Sequence, residues 1–91
     1  MRAVRLKIEG RVQGVGYRAW AIVEAEALGL RGWVRNRRDG SVEALLIGAE
    51  ERVAAMIEAA SEGPPAARVA SINASPAEDD GSAGFTPRPT V

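Results

Sequence analysis

The run Glu9-Gly10-Arg11-Val12-Gln13-Gly14-Val15-Gly16-Tyr17-Arg18 is where one periodicity of the chain ends and another begins. Before it, residues 3–9 alternate Val4, Leu6 and Ile8 with Arg5, Lys7 and Glu9, the period of two of a strand with one buried face. After it, residues 17–28 contain neither Gly nor Pro and are rich in Ala and Glu, with Gly29 placed to end a helix. The run is therefore a strand-to-helix connection, with three glycines in seven residues at 10, 14 and 16. Gly accepts positive φ and has no Cβ to keep a ligand off the main chain. A loop of this kind at a helix N-terminus presents several N–H groups in the field of the helix dipole, which favours an anion. Arg18 sharpens the reading. A cation in the first helical turn opposes the dipole at a cost of about 0.3–1 kcal/mol, and a residue that breaks a local stability rule points to function.

Residues 30–37 read as a second strand centred on Trp33 and Val34. Arg37-Arg38-Asp39-Gly40 is a hairpin turn, its Asp-Gly pair supplying left-handed geometry, and residues 41–47 are a third strand. Residues 50–62 place Val53, Met56, Ile57 and Ala60 at i, i+3, i+4 and i+7, one helical face stopped by Gly63-Pro64-Pro65. In the first helix two stripes compete, Trp20-Val23-Ala27 and Ala21-Ala25-Leu28. Residues 68–74 read as a fourth strand. From residue 75 onward the chain is polar and interrupted by Gly and Pro, and the tail is expected to be partly disordered. Pro87 and Pro89 cannot donate to a ladder, so a fifth strand near Gly84-Phe85-Thr86 is short and at an edge.

The resulting order, strand-helix-strand-strand-helix-strand, is of the α+β class: a ferredoxin-like split βαβ sandwich, one domain over residues 1–91. Two right-handed crossovers place both helices on one face of a mixed, mainly antiparallel sheet. The first and second strands are then parallel, so the glycine loop and Asn36 meet at the same end of the molecule.

Composition limits the chemistry. The chain has no Cys and no His, which removes the thiolate nucleophile, the disulfide and the commonest general base and metal ligand. A reducing compartment, the cytoplasm, is the expected location, and no segment reaches the roughly 20 apolar residues of a membrane span. Formal net charge is zero, but residues 1–45 carry nine Arg or Lys against five Asp or Glu, and residues 46–91 three against seven. This argues against a general nucleic-acid binder and for an anionic partner met by the first half. The second helix begins with Glu50 and Glu51, an acidic first turn that would repel an anion, so only the first half is built for negative charge.

Taken alone, Arg18 is most often a solvated helix residue and Asn36 a turn residue. Trp20, Trp33 and Tyr17 read as packing, and Arg35, Arg37 and Arg38 as a solvated basic rim. Gly14-Val15-Gly16-Tyr17-Arg18-Ala19 also fits the dinucleotide pattern G-x-G-x-x-G/A, but the acidic ribose partner is missing from Trp33 to Arg38 and 91 residues cannot supply a doubly wound sheet. An RNA-reading sheet needs aromatics on its central strands, and the first and third strands have none.

Two motifs in order, Gly10-Arg11-Val12-Gln13-Gly14-Val15-Gly16-Tyr17-Arg18 and Gly32-Trp33-Val34-Arg35-Asn36 with Asp39-Gly40-Ser41-Val42-Glu43 behind it, closely resemble the acylphosphatase family over residues 4 to about 70. The resemblance implies a ferredoxin-like fold and hydrolysis of acyl phosphates to a carboxylate and inorganic phosphate. By position it makes Arg18 the phosphate-binding arginine and Asn36 the water-orienting asparagine. Gln13, Gly14, Val15, Gly16, Tyr17 and Arg18 become the loop that holds the phosphoryl oxygens. The expected partner is a small-molecule acyl phosphate, with inorganic phosphate or sulfate as product-like ligand. No cofactor, metal, nucleic acid or membrane is expected, and the protein is expected to be a monomer. A non-catalytic phosphate-binding regulatory module is the alternative, since the same loop could bind without turnover. Tyr17 stands where Phe is commoner in the family, and residues 75–91 lack its usual long final strand.

Overall fold

The computed structural model describes residues 1–91. Seven elements follow the chain: β1 (Arg2–Arg11), α1 (Tyr17–Ala27), β2 (Arg31–Asn36), β3 (Val42–Gly48), α2 (Glu50–Glu62), β4 (Arg68–Pro76) and β5 (Phe85–Pro87). The sheet order is β4-β1-β3-β2-β5. β1 pairs antiparallel with β3 and β4, β2 antiparallel with β3, and β5 parallel with β2. Each helix thus connects two parallel strands with one antiparallel strand between them, the ferredoxin-like arrangement. β1 and β2 share a direction, and their C-terminal ends lie at the same end of the sheet.

Alternation in β1 does what the sequence predicts: Val4, Leu6 and Ile8 are buried toward the helices. β1 runs two residues beyond Glu9 because a bulge between Glu9 and Gly10 lets pairing with β4 continue to Arg11 opposite Arg68. Gly10 sits there at φ 127°, where a Cβ would lie 2.2 Å from the Arg68 carbonyl oxygen. Of the two candidate stripes of α1, the sheet receives Ala21 and Ala25, while Val23 is 65% exposed. Small residues let the helix lie close to the strands, and Val53, Met56 and Ala60 of α2 complete the same core. Burial of each larger side chain contributes about 1.5–3 kcal/mol.

The opposite face of the sheet carries a second, smaller cluster of Trp33, Leu45 and Ile47. Residues following β4 cross this face. The Ala77 N–H donates to the Ala3 carbonyl at 3.0 Å, Arg31 donates to the Asp79 carboxylate and to the Ser82 carbonyl, the latter at 2.7 Å, and the Trp33 indole N–H donates to Asp80 at 3.2 Å. The chain then returns as β5, and the Val91 N–H donates to the Asn36 carbonyl at 3.3 Å.

Candidate active site

Gly14 and Gly16 adopt φ of 71° and 81°, both left-handed, and Gly16 is the residue that opens α1. Those two turns leave the N–H groups of residues 13–19 without an acceptor in the protein; the first internal bond of the helix end is Trp20 N–H to Gly16 C=O at 3.1 Å. No side chain caps the helix and no acidic residue lies in its first turn. The loop is therefore a concave set of donors at the positive end of a helix dipole, an arrangement that binds an oxyanion. Arg18 stands in the first turn, exposed, with no hydrogen bond or ion pair within the protein to hold its guanidinium.

Asn36 is the last residue of β2. Its Oδ1 is shielded from solvent and receives no hydrogen bond. Because nothing fixes the carboxamide, half a turn about its last torsion presents either donor or acceptor to a neighbour without breaking a bond. One pocket of about 360 Å³ brings the predicted groups together, lined by Gln13, Gly14, Gly16, Arg18 and Asn36 on its polar side. Arg18 is the one charged residue in that lining, so the pocket's own charge is positive.

Gln13 has a different part from its neighbours. Its Nε2 donates to the carbonyls of Arg37 at 2.7 Å and Ser41 at 2.8 Å, on either side of the β2–β3 turn. Both hydrogens of the amide are spent there, which leaves the main-chain N–H for a ligand. The side chain ties the glycine loop to the hairpin that carries Asn36. That hairpin is braced from within, where Asp39 accepts from the Ser41 hydroxyl at 2.6 Å and the Ser41 N–H at 2.9 Å, and from β1, where Lys7 pairs with Asp39 at 3.1 Å. The Ser41 hydroxyl foremost, with the Ser41 N–H and Lys7, holds the Asp39 carboxyl well below the usual carboxylate range.

Tyr17 is buried, but it does more than pack. Its hydroxyl donates to the Ala60 carbonyl at 2.6 Å. In an uninterrupted helix that carbonyl would accept from the residue four ahead, which here is Pro64 and has no N–H. The phenol replaces the missing donor and joins the start of α1 to the end of α2. Burial pushes its pKa well above the ordinary value, so it remains a donor across the working range. Tyr17, at a position where Phe is commoner in the family, thus supplies a bond that Phe cannot make.

The basic rim is less free than its sequence implies. Arg35 faces Glu43 across the β2–β3 pair and donates to it at 2.7 Å, and Arg37 reaches the same carboxylate at 3.3 Å. The Arg35 guanidinium also lies 4.5 Å from the centre of the Trp33 ring. Cross-strand register, which charge counting ignores, sets these pairs. Ala19, Ile22 and Pro87 also line the pocket and were not singled out in the sequence. Ile22 had a signal, being four residues after Arg18 and so on the same side of the helix; Pro87 had none, since only the parallel pairing of β5 with β2 brings it there.

A sequence model of the acylphosphatase family matches residues 4–87 of the chain. The chain belongs to the acylphosphatase family. It is 59% identical over 76 residues to an acylphosphatase of Rhodopseudomonas palustris, covering 84% of this chain and 77% of that one. It is 46% identical to the acylphosphatase of Rhodospirillum rubrum over 91 residues, the whole of both chains. The crystal structure of acylphosphatase from Bacillus subtilis superposes with a TM-score of 0.93 at 37% identity, covering 97% of this chain and 99% of that chain. The protein is accordingly an enzyme that hydrolyses acyl phosphates, and a non-catalytic binding module is not favoured. No helix is long and apolar enough to cross a membrane.

Proposed function

We propose that the main-chain N–H groups of residues 13–18 and the Arg18 guanidinium hold the phosphoryl group of the acyl phosphate, and that Asn36 orients the attacking water. The observation that carries this reading is the convergence of unpaired donors, an unpaired guanidinium and an unheld carboxamide on one pocket. Gln13 contributes its main-chain N–H and, through its side chain, the spacing between the loop and Asn36. Gly14, Val15, Gly16 and Tyr17 contribute main-chain N–H groups alone.

The chemistry asks little beyond this. Water oxygen forms a bond to phosphorus while the bond from phosphorus to the acyl oxygen breaks, and the acyl group leaves as a carboxylate. The conjugate acid of that leaving group has a pKa near 4 by analogy with Asp and Glu, so it departs without a proton donor. The water proton passes to a phosphoryl oxygen, giving inorganic phosphate. Arg18 offers a planar fork to two phosphoryl oxygens, the loop N–H groups take the others, and the bound anion is shielded enough for water to approach. No step calls on a metal ion, and turnover in a chelator should equal turnover without it. The product phosphate, and sulfate by likeness, occupies the same seat, and the enzyme works as a cytoplasmic monomer.

Turnover of benzoyl phosphate by Arg18→Ala and Asn36→Ala tests the assignment. Each lost preorganised donor should lower kcat by about 10²–10³-fold. Arg18→Ala should also weaken competitive inhibition by inorganic phosphate, whereas Asn36→Ala should leave that inhibition nearly intact. Wild-type turnover by either variant refutes the role given to that residue.

A further inference from the structure

The pocket has a second wall, on which the phosphoryl chemistry makes no demand. Ala19 and Ile22 lie three residues apart on α1 and so share one side of the helix. Pro87 of β5 faces the same space, and Arg18 remains the single charge in the lining. Ile22 is half-buried, its inner part packed against the core and its remainder left at the pocket. Four residues along α1 place it about 6 Å further from the loop than Arg18 along the helix axis. An anhydride whose phosphoryl end rests on the glycine loop therefore directs its acyl end either to bulk solvent or along this wall.

We infer that Ala19, Ile22 and Pro87 form an acyl-group subsite that selects uncharged, apolar acyl phosphates, aromatic or branched, over small or anionic ones. The inference rests on the phosphoryl seat proposed above. Its physical basis is transfer of the acyl group's apolar surface from water, about 25 cal/mol per Å² covered. The wall offers no second cation for an acyl group bearing its own carboxylate, and no carboxylate for one bearing an ammonium. The other side-chain donors of the lining, the Gln13 amide and the Tyr17 hydroxyl, are already committed to main-chain carbonyls. A dicarboxylic acyl phosphate would therefore lose solvation at its free carboxylate with nothing to replace it.

The test compares kcat/KM for benzoyl, acetyl and succinyl phosphate on wild type, Ile22→Ser and Pro87→Ala. Within one enzyme the three substrates differ in intrinsic reactivity, so the quantity read is the change in their ratios on mutation. Ile22→Ser should lower the benzoyl-to-acetyl ratio by about tenfold, within the range for loss of a few methylenes from a binding wall. Pro87→Ala, at an exposed position outside the core, should lower the ratio in the same direction by about threefold, and it keeps the test valid if Ile22→Ser folds poorly. Succinyl phosphate should be the poorest substrate of wild type relative to its spontaneous hydrolysis. Ratios unchanged in both variants, with all three substrates still turned over, overturn the subsite and leave the phosphoryl seat standing. A wild type that turns over none of them overturns the phosphoryl seat, and the subsite with it.

Discussion

The two βαβ halves place helix N-termini at equivalent positions and treat them in opposite ways. α2 begins after Ala49 with Glu50 and Glu51, and the Ala49 carbonyl accepts from the N–H groups of Arg52 and Val53, both at 3.0 Å. Its first turn is closed and acidic, a stable helix start with no affinity for anions. α1 begins after a left-handed Gly16 with no acidic residue, no side-chain cap and Arg18 in its first turn. The same supersecondary unit thus yields one inert corner and one proposed here as the active site. The difference lies in a few residues of the loop and first turn, and the proposed active corner is the less stable by local rules.

The largest expected effect comes from making the corners alike. Arg18→Glu copies the acidic start of α2 onto α1. It should abolish turnover beyond the 10²–10³-fold loss of a single donor, yet raise stability by about 0.3–1 kcal/mol as the dipole gains an acid and loses a cation. Parallel assays of acyl phosphate hydrolysis and thermal midpoint check this, and a fall in both would break the contrast.

Next is the staple between loop and hairpin. Gln13→Ala should lower kcat by about tenfold, as expected when positioning is loosened, while inorganic phosphate inhibits nearly as well as before because the main-chain donors remain. Equal losses in kcat and phosphate affinity would mean that the side chain itself holds the ligand.

Tyr17→Phe then separates packing from bonding. Removal of the hydroxyl leaves the Ala60 carbonyl without a donor and should cost about 1–3 kcal/mol of stability, read by urea unfolding, with little change in turnover. At the inert corner, Glu50→Lys should lower stability by about 0.3–1 kcal/mol and leave kcat/KM unaltered.

Much of this is legible in the sequence. Residues 50–62 and the three alternating apolar residues of β1 obey single periods, and both elements form where those periods place them. Parallel first and second strands were enough to bring Arg18 and Asn36 together at one end of the sheet. The stripe of α1 was not legible, because an almost wholly apolar helix carries no phase; the sheet selected its small alanines by closeness of approach. The courses of Asp79 and Asp80 were hidden for another reason. Their partners, Arg31 and Trp33, are 48 and 47 residues away, and polar residues in a Gly-rich stretch read as solvent-facing until the pairing is seen. The double duty of Tyr17 lay in the sequence only jointly, through the missing N–H of Pro64.

The sheet's outer face has a spectroscopic consequence. The guanidinium groups of Arg35 and Arg88 lie 4.5 and 5.3 Å from the centre of the Trp33 ring, whose indole N–H donates to Asp80. Trp20 is on the far side of the sheet, 5.3 Å from Tyr17 and next to the glycine loop. The Ser82 hydroxyl and N–H, with Trp33 and Arg88, lower the Asp80 pKa, and Arg31 does the same for Asp79. Both carboxylates therefore favour the docked segment above their unfolded value near 4 and release it as pH falls through the folded one. Emission from Trp33 should report that acid-driven release, while Trp20 reports on the loop, so two single-tryptophan variants can follow opposite faces of one sheet independently.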